Sequence, residues 1–455
     1  MPCVMCGSMT WWEAFDQFGN KYHGICKTCL NINSYRNIKY LNRLIMRGFF
    51  SFIELLCICT CLWCCSGTSE GDGGIKVIDI GNAAHKPEVV CLSKYANEIR
   101  YIQLESSEQC LLGDASRLNI KILNNMFCIW EDSKGTVLGD PVLCFNSNGD
   151  FLNSIGSHGR ADNEFLTICN VLTNDEKNII SIVDNTKALV YSNDGIYKYN
   201  FDMLHNGICR MSGAWMDNNM VVFLKRKNLG AHIDELNGRT DELVVIDTMG
   251  TVLKKFDLGK NIIRTFETDS PFGKGTGVDS KVASLYVCDN SIKIIRNNDL
   301  IYDFNVSDWK LNAQYKIDLG KYGLSENMIG AKVLNNNKEV IESERFILMK
   351  VIFSPIDFPE YDRNYINSYF IYDKKERTTA CLKYNIEDSE ANFKNDIDGG
   401  INFYPSYIKD GKMYQLVNAI DFIEMAEKST SARMKEVAAQ LTEESNPVVV
   451  EVTLK

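Results

Sequence analysis

The sequence predicts an all-β fold, a six-bladed β-propeller of four-stranded antiparallel blades. Three observations carry that expectation. From Ile75 onward, short β-rich runs alternate with Asn-Gly and Asp-Gly type turns. The first three of these turns, marked by Gly149, Gly195 and Gly250, recur at a spacing close to one four-stranded blade with loop insertions. No Pro- or Gly-rich linker breaks the chain beyond Ile75, which favours one continuous array over a sandwich or a string of separate β domains.

The turns themselves locate the hairpins. Val142-Leu143-Cys144-Phe145 enters Asn146-Ser147-Asn148-Gly149-Asp150 and returns as Phe151–Gly156. Leu189-Val190-Tyr191 enters Ser192-Asn193-Asp194-Gly195 and returns as Ile196–Tyr199. Leu243–Asp247 enters Thr248-Met249-Gly250 and returns as Thr251–Phe256; Tyr369–Asp373 with Lys374-Lys375-Glu376 is a looser fourth copy. Each has an apolar incoming strand and a turn that favours positive φ. Residues 96–156, 166–203, 207–259, 261–320, 330–385 and 400–455 each hold enough β-rich sequence for one blade. A circular array hides its end strands by letting the two chain ends share a blade. The expected partners are Ile75–Ile80 and Val448–Leu454. Between Asp421 and Leu441, Phe422, Met425, Ala426, Met434, Val437, Ala438 and Leu441 recur at helical spacing, predicting one helix inserted in the last blade.

Composition narrows the function. Of the 455 residues 45% are hydrophobic and 24% charged, which is globular rather than disordered composition. The net charge is −10, and because the segment ending at Cys65 holds six basic and three acidic side chains, the remainder stands at −13. A body that acidic lacks the electrostatic footprint of a nucleic-acid binder. Nine of the 17 cysteines fall in the segment ending at Cys65, and the other eight are scattered through apolar runs as small buried hydrophobes.

That Cys-rich start divides into three. Residues 1–45 contain Cys3-x-x-Cys6 and Cys26-x-x-Cys29, two knuckles whose separation suits tetrahedral zinc held by four thiolates. Residues 46–65 place Arg47 before the apolar run Phe49–Cys65, interrupted by Glu54, which is short for a membrane span and sized for a signal-peptide core. Residues 66–74, from Ser66 to Gly74, are a small, polar, flexible tether before the propeller at 75–455. Leu62-Trp63-Cys64-Cys65 resembles the lipobox of bacterial lipoprotein signals, which implies cleavage before Cys65 and acylation of that residue. Acyl chains on Cys65 would make the membrane a partner and leave the body outside the cytoplasm. The alternative is an uncleaved anchor with its basic flank in the cytoplasm, and a start at Met46 would leave residues 1–45 outside the mature protein.

The body is similar to the six-bladed propellers of the NHL-repeat and TolB-like group, often found as exported lipoproteins of diderm bacteria. The resemblance rests on Phe145–Phe151 followed by Gly156-Ser157-His158-Gly159-Arg160-Ala161-Asp162-Asn163-Glu164-Phe165, similar to an NHL blade junction, and on Val183-Asp184-Asn185 in the next blade. Arg160–Asn163 replaces that junction's Gly-Pro-Gly element. Asn395–Gly400, Phe403-Tyr404-Pro405 and Asn446-Pro447-Val448 look like the closing blade of the exported lipoproteins. The resemblance implies a binding scaffold in the cell envelope, facing the periplasm or the surface, and supplies no catalytic residues.

Chemistry-bearing motifs are sparse. The chain has five His, no G-x-S-x-G and no H-E-x-x-H. Asn395-Asp396-Ile397-Asp398-Gly399 clusters hard oxygens, so Asp396 and Asp398 are calcium candidates against a purely structural turn. Asp184 and Glu164 are placed at a blade junction. The leading expectation is a membrane-anchored, non-enzymatic propeller without a cofactor of its own, binding a peptide, glycan or protein. One alternative is a metal-dependent hydrolase or lactonase using channel carboxylates. The other keeps the zinc ribbon and joins it through the anchor to the propeller.

Overall fold

The computed structural model describes residues 74–131, 140–184, 186–202, 213–215, 220–226, 240–270, 273–288, 291–296, 299–305, 308–323, 331–333, 340–353, 367–385 and 390–455, with 14–15 and 21–22. The chain divides into residues 1–68 and 69–455. In the first unit, Ala14–Phe15 pairs antiparallel with Lys21–Tyr22. The second unit is the propeller.

Its first three blades are four-stranded meanders: Leu118–Leu123, Met126–Glu131, Val142–Phe145 and Phe151–Ile155; Asn170–Asn174 to Tyr197–Asp202; and Gly213–Trp215 to Val252–Lys260. A hairpin of two long strands, Ile262–Ser270 and Gly273–Lys281, intervenes before the fourth blade, Ser284–Cys288 to Lys310–Asp318. The fifth runs from Lys332–Val333 to Thr378–Leu382, with a second short strand, Val340–Glu342, on the same edge of Phe346–Ile352. The sixth joins Tyr407–Lys409, Lys412–Val417 and Val448–Leu454 to Ala96–Gln103. Each innermost strand touches the next around a closed circuit: Leu118–Leu123, Asn170–Asn174, Gly213–Trp215, Ser284–Cys288, Val340–Glu342, Tyr407–Lys409, and back to Leu118–Leu123.

Burial follows strand position. Middle strands such as Ile179–Val183 and Val142–Phe145 are buried at every residue because neighbouring blades cover both faces. The outer strand Phe151–Ile155 alternates instead. The core is accordingly distributed between blades. Leu118, Ile120 and Ile122 pack with Tyr414 and Val449 of the last blade, and Cys128 and Trp130 pack with Val171 and Ile182 of the second. All four expected hairpins form between the third and outer strands of their blades. Gly149, at φ +94°, shows why its turn needs glycine: a Cβ there would lie 2.0 Å from the Gln103 carbonyl oxygen in the neighbouring blade.

Closure departs from expectation. The partner of Val448–Leu454 is Ala96–Gln103, antiparallel, and not Ile75–Ile80. Val448–Val452 is buried throughout, so it needs a long strand on each side, and Ala96–Gln103 supplies eight residues. It also sets Arg100 opposite Glu451, a buried carboxylate that Lys412 approaches from the other side; both N–O distances are 3.1 Å. Lys76–Asp79 instead lies parallel along the outer edge of the fourth blade, pairing with Tyr315–Asp318. The short strand ends where the Asp79 carboxylate caps a short helix, Ile80–Ala83. Pro87–Glu88 then pairs parallel with Cys381–Leu382 of the fifth blade, and Leu92 N–H donates to the Lys394 carbonyl. Residues 76–103 thus form a strap around three successive blades. In consequence 96–103 leaves the first blade, where the sequence had placed it, and joins the last.

The inserted helix is divided in two, Ala419–Lys428 and Ala432–Ala438. Ser431 breaks it because its Oγ accepts from Met434 N–H and so starts a second helix, which favours extended backbone at the cap.

Candidate functional site

A surface concavity built by described residues lies on the closing blade. Its floor comes from the loop Asn395–Gly400. Gly399 is at φ +72°, and a Cβ on Gly400 would lie 2.0 Å from the Tyr101 hydroxyl, so two glycines let the loop press against the closing strand. Asp398 sits in that fold of chain. It accepts from Tyr101 Oη at 3.1 Å, Asn395 Nδ2 at 2.7 Å, Gly400 N–H at 3.0 Å and Ser431 Oγ at 2.5 Å. Burial, then the adjacent Asp398 charge, pushes the Tyr101 phenol up, so it remains a proton donor. Above this floor opens a cleft of about 680 Å³. Exposed Asn97 and Glu98 form one wall, and Ala432 and Arg433, on the first turn of the second helix, form the other. Arg433 reaches the Ile99 carbonyl at 3.5 Å.

Asp396 points elsewhere. It accepts from Ser93 N–H at 2.9 Å and Ser93 Oγ at 2.6 Å, fastening the strap to the last blade. Partial desolvation raises its affinity for a proton, but the Ser93 hydrogen bonds win and hold the carboxyl below its ordinary value. The two calcium candidates therefore share a loop and not a set of partners. Among the described residues, no group of three or more His, Cys, Asp or Glu converges to hold a metal ion. Cys3, Cys6, Cys26, Cys29 and Cys65 lie outside the described residues.

A second polar cluster gathers at the axis, where the last, first and second blades meet. Lys409, ending the inner strand of the last blade, donates to the Ile122 carbonyl at 2.8 Å and pairs with Asp175 at 2.5 Å, so one ammonium ties three blades together. Asn124, at φ +47° in the first hairpin turn, donates to the Asp175 carbonyl at 3.0 Å. Lys121 Nζ lies 4.6 Å from the centre of the Tyr407 ring. Burial, aided by the nearby Lys409 charge, brings the Lys121 ammonium down to about 8. No sequence motif marks this cluster, since its members come from residues 119–130, 175 and 407–409.

Asp184, expected at a blade junction, is 3% exposed and accepts from Leu166 N–H at 2.8 Å and Thr167 Oγ1 at 3.0 Å. Glu164 accepts from Ala161 N–H at 2.9 Å. Both brace the linker between blades.

The model of a family described as a domain of unknown function (DUF4934) matches residues 75–453. No functionally curated protein matches the chain. A crystal structure of a protein described as exported, from Bacteroides fragilis, is 17% identical and superimposes with a TM-score of 0.55, covering 84% of this chain and 99% of that one. A member of the duf4221 family from Bacteroides vulgatus is 10% identical with a TM-score of 0.40, covering 81% of this chain and 98% of that one. At 17% identity the likeness to the Bacteroides fragilis protein concerns the fold alone.

Proposed function

The chain belongs to the DUF4934 family of domains of unknown function, and from that premise we propose that it is a non-enzymatic binding scaffold of the cell envelope, anchored to the membrane through acylated Cys65. The observation that carries the binding role is the cleft on the closing blade. Its floor carboxylate accepts from four donors within the fold, which commits Asp398 to holding the loop against the closing strand and the second helix. Its walls offer an exposed acid, an exposed base and an amide, groups suited to recognising a polar peptide or glycan.

Envelope placement is supported by the basic-flanked apolar run, by Leu62 placed as a lipobox requires ahead of Cys65, and by the polar tether 66–74. The Bacteroides fragilis protein of related fold is described as exported. The NHL-like junction at Gly156–Phe165 supports kinship with exported propellers. In forms that retain residues 1–45, Cys3, Cys6, Cys26 and Cys29 are the proposed zinc ligands.

The test is a peptide and glycan array probed with membrane-extracted full-length protein. Saturable binding that Glu98→Arg and Arg433→Glu each weaken at least tenfold is the expected result. Metal-dependent turnover of lactone or ester substrates would instead establish the hydrolase reading. Intact mass of the same preparation reads the anchor: a diacylated or triacylated Cys65 start supports it, and an unmodified Met1 start refutes it.

A further inference from the structure

The first blade carries, on one face of its two inner strands, two buried hydrogen-bond donors that lack an acceptor among the described residues. Asn119 and Lys121 are two apart on the innermost strand and so share a face. Across the ladder Asn119 is registered with Trp130, and Lys121 with Cys128. Trp130 and Cys128 belong to the core toward the second blade, while Leu118, Ile120 and Ile122 belong to the core toward the last. All four side chains therefore stand on the second-blade side. Trp130 is 4% exposed and its indole Nε1 lacks a hydrogen-bond partner, as does the buried Asn119 Nδ2. An indole N–H can only donate, and a donor buried without an acceptor destabilises the fold.

Lys121 adds a cation to the same face. Its one ring contact is Tyr407, and among the described residues no carboxylate lies within ion-pair distance of it. The nearby Lys409 is already matched by Asp175. One negative charge would bring this corner of the axis to neutrality, in a body that is otherwise strongly acidic. Donors without acceptors beside a cation without a counter-ion call for an anionic acceptor group.

We propose that this face is an oxyanion site, where a carboxylate or phosphate group of a small ligand entering along the propeller axis accepts from Asn119 Nδ2 and Trp130 Nε1 and pairs with Lys121. The carboxylate and the phosphate share this chemistry and are separated by experiment.

Full-length protein is titrated with inorganic phosphate and, separately, with acetate, against chloride at equal ionic strength, with melting temperature and tryptophan emission as readouts. A saturable rise in melting temperature with one of them at pH 6.5 is expected, and the anion with the larger effect fixes the class. At pH 9 the affinity should fall about tenfold, because a lysine titrating near 8 is then mostly neutral. The other groups facing Lys121 are Lys409, Asp175, Tyr407 and Cys128. Burial of Tyr407, and the Cys144 hydrogen bond with burial for Cys128, push these last two up and keep them neutral through that window. Lys121→Met should melt no lower than the parent and lose the anion response. Trp130→Phe keeps an aromatic ring, removes the N–H, and should weaken binding several-fold; it reads the same site should Lys121→Met not fold. No saturable response to either anion, or an undiminished response in Lys121→Met, overturns the proposal. Array binding at the cleft is a separate readout, so the failure of one reading leaves the other standing.

Discussion

Asn446 spends every polar atom of its side chain on the loop it clasps. Its Oδ1 accepts from Leu112 N–H at 2.7 Å, and its Nδ2 donates to the Glu105 and Cys110 carbonyls at 2.6 and 2.8 Å. The residue is 1% exposed, so truncation strands buried partners. Asn446→Ala should cost about 2–3 kcal/mol in urea unfolding, and Asn446→Asp should not restore it, since a carboxylate cannot donate to two carbonyls. Asp373 makes a pH prediction. Desolvation opposes its charge, but hydrogen bonds from Arg345 and the Glu376 amide, with the Arg345 and Lys94 charges, hold its carboxyl at about 2. A folded value below the unfolded one means that the contribution is complete above about pH 4 and is lost as pH falls toward 2. The stability gap between wild type and Asp373→Asn should therefore close across that window in acid titrations followed by circular dichroism. Cys128 and Cys144 face each other across a strand pair, and both are fully buried. The Cys144 hydrogen bond and burial push the Cys128 thiol well up. Iodoacetamide should label Cys128 only after unfolding, read by peptide mass.

At the scale of elements, the hairpin turns were legible because each carries its own chemistry. Asn146 accepts from the Asn148 and Asp150 amides, and Asp247 from the Met249 and Thr251 amides, so Asn or Asp at the turn entrance and Gly149 or Gly250 inside it suffice to close the loop. Strand partners drawn from opposite ends of the chain were not legible. Lys76–Asp79 and Ala96–Gln103 both read as strands, and what separates them is length and the Arg100–Glu451 match, visible only once the register is known. The difference predicts unequal tolerance. Val450→Pro, in a strand bonded on both sides, should cost about 3 kcal/mol or more, whereas Val77→Pro on an added edge should cost much less. Chemical denaturation of the two variants measures the gap.

Over the whole molecule, no blade owns its core. Each sheet's faces are finished by its neighbours, so opening the ring exposes apolar surface on two blades at once. Deleting residues 448–455 removes the strand that Lys412–Val417 and Ala96–Gln103 share. Such a chain should lose its cooperative thermal transition as a whole rather than leave five stable blades.

What the amino-acid sequence determined unaided is local: the turns, the β-rich runs between them, their blade-length spacing, and hence an all-β ring. These are set by backbone preferences and apolar patterning within a few residues, which any short stretch of chain carries with it. Tertiary structure alone decided which N-terminal strand closes the ring, that residues 76–95 strap two further blades, and that Lys121, Tyr407, Lys409 and Asp175 meet at the axis. Those outcomes depend on register between segments far apart in the chain, and register is settled by which long-range pairing buries both faces and matches its charges.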